Sequence, residues 1–246
     1  MEFKVVRNDI TNMYVDAIVL PANPKLKEGS GTSKAIFEKA GRKELVEACK
    51  RYNAGNRKID VGTTVSTFGL GTNANYILHA VVPKWKDGKH QEYELLSTAY
   101  LSALRLADDM NCESIAFPLL ASGHNKFNSE LAWMIAKESI EQYKAKKKLQ
   151  KSFLVIYDED TTYKLKLLGV DIEEYIDASY TIEKDERYMG VLEKTLWGFI
   201  DTGKTMGEEY LEKLNDPEEQ RKMILMGIDI VKNIIEKASE KNDTSI

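Results

Sequence analysis

Ala17-Ile18-Val19-Leu20-Pro21-Ala22-Asn23, running on through Pro24-Lys25-Leu26-Lys27-Glu28 to Gly29-Ser30-Gly31-Thr32-Ser33, decides how this chain is read. The apolar run from Ala17 to Leu20, stopped by Pro21, fits a strand buried on both faces. A glycine-bearing loop follows and opens a helix, because residues 32–51 carry apolar side chains at Ala35, Ile36, Ala40, Leu45 and Ala48. Glycines let a backbone come close to a phosphate, and a helix N-terminus adds unpaired N–H donors. The same stretch also fits an ordinary strand-to-helix loop.

The pattern repeats on either side. Residues 3–6, 63–67, 76–82, 114–117 (ahead of Pro118) and 153–157 read as strands. Residues 93–110 read as a helix, and Asn128 or Ser129 caps another with Leu131, Met134, Ile135 and Ile140 on its apolar face. Alternating strands and helices imply a layered α/β fold with a largely parallel central sheet, whose ligands sit beyond the strand C-termini. That points to three loops, residues 21–33, 119–127 and 157–162. The second, Leu119-Leu-Ala-Ser122-Gly123-His124-Asn125-Lys126-Phe127, again joins a strand to a helix. Two such loops at one sheet edge grip a diphosphate through backbone amides.

Composition narrows the classes. The 246 residues carry a net charge of −4, unlike a general nucleic-acid binder. No run of 18 apolar residues is present and MEFKVVRND lacks a signal-peptide core, so no membrane span and a cytoplasmic location are expected. Cys49 and Cys112 form no CxxC or Cys/His cluster, which leaves no expected metal site or disulfide scaffold. Neither GxxxxGK[ST] nor GxGxxG follows a strand, which disfavours a P-loop or a dinucleotide-binding Rossmann unit. No cofactor is expected. Residues 1–177 hold 25 Lys/Arg and 24 Asp/Glu, whereas residues 178–246 hold 10 and 15. This shift from +1 to −5 places a domain boundary near residue 177. The tail reads as helical, with Met189, Leu192, Leu196 and Phe199 in one stripe and Ile224, Ile228, Val231 and Ile235 in another. Such stripes suit packing against the first domain, self-association or a protein partner.

Several stretches in order resemble the macrodomain family. Arg7-Asn8-Asp9-Ile10-Thr11 is similar to its GDIT opening, and Val15 to Asn23 to its VDAIVNAAN run. Gly29-Ser30-Gly31 is similar to its Gly-rich loop, Tyr76 to Pro83 to its IIHAVGP strand, and Ile115 to Pro118 with Ser122-Gly123 to its IAFP…TG loop. The resemblance covers residues 1–177. It implies a three-layer α/β/α fold with a mixed, largely parallel sheet, and binding or hydrolytic removal of ADP-ribose, free or attached to a macromolecule.

The resemblance also implies roles. Asp9, with the Ile10 backbone nearby, would accept from the adenine amino group. Ala22 and Asn23 would meet the distal ribose, and Gly29, Ser30 and Gly31 would line the pyrophosphate and that ribose. Ser122, Gly123 and His124 would give amides to the phosphates, beside Asn125. Phe127 would close the loop and Tyr157 would stack on adenine. Asn23 and His124 are the catalytic candidates. Other readings stand beside these: Asp9 as a turn cap with Asn8, Tyr157 as a rim aromatic, and His79 as a core histidine.

The departures bear on activity. Leu20 and Pro21 replace the first residues of NAAN, Ser33 stands where hydrolases of the MacroD group carry an Asp, and Asn125-Lys126 replaces an aromatic-Gly pair. Ser33 cannot serve as a carboxylate base, which leaves water activation to the ligand's own phosphate. Three functions remain: an ADP-ribosyl or O-acetyl-ADP-ribose hydrolase, an ADP-ribose-binding module, and a scaffold acting through its helical tail.

Overall fold

The computed structural model describes residues 1–52 and 58–174. The acidic tail, 178–246, and its two apolar stripes lie outside the described residues. Among the described residues, seven strands form one sheet: β1 (Glu2–Arg7), β2 (Ala17–Ala22), β3 (Thr64–Phe68), β4 (Tyr76–Val81), β5 (Ser114–Pro118), β6 (Lys151–Ile156) and β7 (Glu173–Glu174). Their order is β3-β4-β2-β5-β6-β1-β7. Only β3 runs antiparallel to its neighbour, so the sheet is mixed and mostly parallel.

Among the described residues, five α-helices cover the two faces: α1 (Thr32–Ala40), α2 (Arg42–Tyr52), α3 (Glu92–Asp109), α4 (Ser129–Gln142) and α5 (Glu159–Leu167). The pleat sends alternate β2 residues to opposite sides. Ala17 and Val19 pack with Tyr100, Leu104, Phe117 and Ile135 on the α3/α4 side. Ile18 and Leu20 pack with Ile36, Phe37 and Leu45 on the α1/α2 side. This is the three-layer α/β/α arrangement expected.

Three sequence expectations need correction. The helix read across residues 32–51 is two helices, broken at Gly41, whose φ of 91° lies where glycine alone sits without strain. Pro21 does not stop β2. Beyond Ile18 the strand pairs with β4 alone, so the missing N–H disrupts no second ladder. Residues 157–162 are mostly not a loop, because α5 begins at Glu159 with Asp158 Oδ1 accepting from Thr161 N at 2.8 Å.

The sheet topology positions the site. β2, β5, β6 and β1 are consecutive neighbours and all parallel, so their carboxyl ends share one edge. Three strand spacings of about 4.8 Å separate β2 from β1, roughly 14 Å along that edge.

Candidate functional site

Four connections rise from this edge. After β1, Asp9 caps a single 3-10 turn, Ile10–Asn12, with Oδ1 accepting from Thr11 N and Thr11 Oγ1, both at 2.8 Å. The turn-cap reading of Asp9 is therefore realised, and Asn8 Oδ1 accepts from Asp9 N at 2.8 Å. Asp9 Oδ2 has no partner among the described residues. The Ile10 side chain is buried and anchors the turn in the core.

After β2, the Asn23 side chain is turned into its own loop. Its Nδ2 donates to Lys27 O at 2.7 Å, and its Oδ1 accepts from Lys25 N and Lys27 N. Ala22 is buried beneath it. Gly29, Ser30 and Gly31 are exposed. Gly31 precedes α1 with φ 55° and ψ −127°, a conformation open essentially to glycine, and α1 has no side-chain cap. Its first amides are thus left to solvent or a ligand. Ser33 is only 3% exposed, and its Oγ accepts from Gly29 N at 3.0 Å, pinning the loop to the helix.

After β5, residues 119–127 fold into a compact loop. Ala121 and Lys126 sit at φ 66° and 63°. Lys126 N donates to Gly123 O and Phe127 N to Ala121 O. The amides of Ser122, Gly123, His124 and Asn125 have no acceptor among the described residues, while Ser122 Oγ donates to Leu119 O. Consecutive free amides in a turn form an anion-binding concavity. The buried Tyr100 hydroxyl accepts from Leu120 N at 2.9 Å and holds the base of the loop. Burial pushes the Tyr100 hydroxyl pKa upward, keeping it neutral. Asn125 clamps the far side: its Nδ2 donates to Pro83 O at 2.8 Å and its carbonyl accepts from Trp85 N at 2.8 Å. Phe127 is buried and meets Trp85 edge-on at 5.2 Å.

After β6, Tyr157 stands 61% exposed at the same edge, just before α5. At the end of β1, the buried Arg7 guanidinium donates to Glu159 at 3.0 Å and ties β1 to α5. The structure thus gathers Asp9, Asn23, the glycine loop, the 122–125 amides and Tyr157 along one edge.

His79 stays apart, in the core of β4. Its Nε2 lies 2.9 Å from Thr67 Oγ1 and its Nδ1 4.0 Å from Cys49 Sγ. Burial pushes His79 down to about 4 and Cys49 up to about 11, so both stay neutral. Asp87, His90 and Glu92 bring ligand atoms within 4.8 Å of one another. Their carboxylates already serve the loop, since Glu92 Oε1 accepts from Lys86, Asp87 and Gly88 amides and Asp87 Oδ1 from Lys89 N and His90 Nδ1. The sequence reading missed Tyr100, Glu92 and the Asn125 clamp. Tyr100 and Glu92 lie in helix α3 and act on backbone amides, which leave no pattern in the sequence.

A family model for the Macro domain matches residues 19–136. An O-acetyl-ADP-ribose deacetylase of Escherichia fergusonii is 36% identical over 159 residues, 64% of this chain and 89% of that protein. The chain belongs to the macrodomain family. A macro domain-containing protein of Listeria monocytogenes is 39% identical over 58% of this chain and 81% of its own length. Among solved structures, the Oceanobacillus iheyensis macrodomain with ADP superposes with a TM-score of 0.62 at 29% identity, covering 67% of this chain and 90% of that one. The Trypanosoma brucei macrodomain in complex with ADP-ribose gives a TM-score of 0.55 at 26% identity, covering 66% of each chain.

Proposed function

We propose that this macrodomain binds ADP-ribose across the carboxyl edge of its sheet and hydrolyses O-acetyl-ADP-ribose or ADP-ribosylated macromolecules slowly. The observation that carries the reading is a pair of donor sets on neighbouring loops of one sheet edge: the uncapped start of α1 behind Gly31 and the amides of residues 122–125, which have no acceptor among the described residues. Together they offer a diphosphate neutral, directional donors, which is how a chain of net charge −4 accommodates an anion. Adenine lies at the β1/β6 end, with Asp9 Oδ2 accepting from its amino group and Tyr157 against its face. The distal ribose lies at the β2/β5 end, beside Asn23. Relatives named for O-acetyl-ADP-ribose deacetylation and neighbours holding ADP or ADP-ribose support the ligand class.

In ester hydrolysis, water attacks the acetyl carbonyl carbon, the bond from that carbon to the ribose oxygen breaks, a proton of the water passes to the ribose oxygen, and acetate and ADP-ribose leave. The chain's residues hold the sugar and phosphates so that a water beside the ligand's phosphate faces the reacting carbon. No carboxylate stands at position 33 to take the water's proton, and the Ser33 hydroxyl is engaged with Gly29. The rate is therefore low, and binding without turnover is the second reading, favoured by that same residue. Our reading takes residues 1–177 as the ligand-binding domain and 178–246 as an acidic extension to it, and assigns the protein to the cytoplasm. Calorimetry with ADP-ribose, followed by incubation with O-acetyl-ADP-ribose and detection of free acetate, tests the proposal. Absence of ADP-ribose binding overturns it.

A further inference from the structure

The sheet topology fixes where the acidic extension leaves the domain. β7 runs parallel to β1, with Val6 beside Glu173 and Arg7 beside Glu174, so the described chain ends at the same carboxyl edge that carries the ligand site. Residues 178–246, outside the described residues, carry a net charge of −5, and all of that excess lies in one stretch. Residues 208–219 hold Glu208, Glu209, Glu212, Asp216, Glu218 and Glu219 against the single cation Lys213.

Toward the other end of that edge stand cations that the ligand site does not use. Lys84, Lys86 and Lys89, in the loop between β4 and α3, are exposed, as is Lys126 in the loop after β5. None of the four has an ion-pair partner among the described residues. One frame holds them. Trp85 N donates to Asn125 O, Asn125 Nδ2 donates to Pro83 O, and the Trp85 ring packs on Phe127. The buried Glu92 carboxylate gathers the amides of Lys86, Asp87, Gly88 and His90. Asp87, the exposed acid of this loop, is engaged with Lys89 N and His90 Nδ1.

Reach and charge select the occupant of this surface. β7 and β4 are five strand spacings apart, about 24 Å. The 33 residues from 175 to 207 join Glu174 to Glu208, and even at the short rise of a helix they would extend about 50 Å. Single ion pairs at a surface are weak, so docking needs several charges together; the stretch brings six carboxylates and the loop pair four lysines. A tether of this kind presents those carboxylates at an effective concentration on the order of millimolar. The other exposed basic run, Lys144–Lys148, precedes β6 at the opposite edge of the sheet, and its Lys147 is already paired with Asp109.

We propose that residues 208–219 dock on this pair of lysine-bearing loops and set the chain's own carboxylates at the mouth of the site, in competition with the anionic ligand. The competition rests on ADP-ribose binding at the adjacent loops; the docking does not. The test uses the 246-residue chain. A carbodiimide, which joins a carboxylate directly to a lysine, links residues 208–219 to Lys84, Lys86, Lys89 or Lys126 at about 50 mM salt. The links are lost at about 1 M salt, where the screening length shrinks to about 3 Å. In a mixture of isotope-labelled and unlabelled chains they form within one chain. Glu208→Gln/Glu209→Gln/Glu212→Gln keeps the side-chain size and tightens calorimetric ADP-ribose binding about fivefold or more at low salt. That gain is absent when Lys84→Gln/Lys86→Gln/Lys89→Gln is already in place, because the two sets act through each other. Four results would overturn the proposal: no links from residues 208–219 to these lysines, or links to Lys144–Lys148 in their place; links of mixed isotope, which make a second copy the occupant; an ADP-ribose affinity indifferent to the three glutamates; or the same gain with the three lysines removed. Links intact in a chain that binds no ADP-ribose would refute the ligand-site reading and leave the docking in place.

Discussion

Asp9→Asn separates the two jobs that Asp9 holds. In the structure Oδ1 accepts from Thr11 N and Thr11 Oγ1 at 2.8 Å, and Oδ2 is left for the ligand. Asparagine supplies an oxygen for the Thr11 pair, and as a cap it equals aspartate, so folding stability changes by about 0.5 kcal/mol or less. At the other position an NH2 replaces the acceptor and opposes the adenine amino group, donor to donor. The lost charge-assisted hydrogen bond is worth about 1.5–3 kcal/mol, so ADP-ribose binding weakens roughly 10- to 150-fold. Asp9→Ala loses the same affinity and, in addition, about 0.5–2 kcal/mol of cap stability. Calorimetry gives the affinities and thermal melts the stabilities. ADP shares the loss because it carries adenine, whereas ribose 5-phosphate does not. Unchanged ADP-ribose affinity in Asp9→Asn, with unchanged stability, would show that Asp9 is a cap and nothing more.

Three further substitutions probe other parts of the account. Ser33→Asp places a carboxylate at the position where the resemblance to MacroD-group hydrolases implies one and should raise acetate release from O-acetyl-ADP-ribose, up to about 10²–10⁴-fold if the geometry is competent; a flat rate in a folded variant would remove that position from the chemistry. Gly31→Ala meets no atom within 4 Å, so its cost is backbone strain alone, about 1–3 kcal/mol in melts, whereas Gly123→Ala, also in open space and without a positive φ, should be near neutral. For His79, burial lowers the folded pKa to about 4 from an ordinary 6.5, so the unfolded chain binds the extra proton. Stability from this group is full above pH 6.5 and is lost as pH falls toward 4, by about 3 kcal/mol. His79→Gln, which keeps a partner for Thr67, should flatten melts over that window, and an unaltered pH dependence would contradict the assignment.

Much of the fold was legible because its strands are short apolar runs, such as Ala17 to Leu20, bounded by Pro, Gly and polar residues. α5 was not, since Glu159–Leu167 buries only Thr161, Thr162 and Leu165 and shows little apolar periodicity. Gly41 was passed over because one glycine in a periodic stretch is tolerated in many helices, and only its φ of 91° reveals the break. The site's loops announced themselves through glycines and through their place after strands. What holds them did not. The Tyr100 hydroxyl and the Glu92 carboxylate reach backbone amides, 20 residues away in the case of Tyr100, and a backbone amide has no identity in a sequence. Asn23 was legible as a site residue by resemblance, yet its three bonds to its own loop appear only in the fold.

Titration of the 246-residue chain with ADP-ribose, read by calorimetry alongside AMP and ribose 5-phosphate, tests the central claim most directly. The donor sets behind Gly31 and along residues 122–125, joined to Asp9 across three and two strand spacings of the sheet edge, about 14 and about 10 Å, predict one saturable site per chain. ADP-ribose should bind about tenfold or more tightly than either fragment, because only the whole ligand reaches both ends. Absence of saturable heat, or equal affinity for AMP and ADP-ribose, would contradict the account.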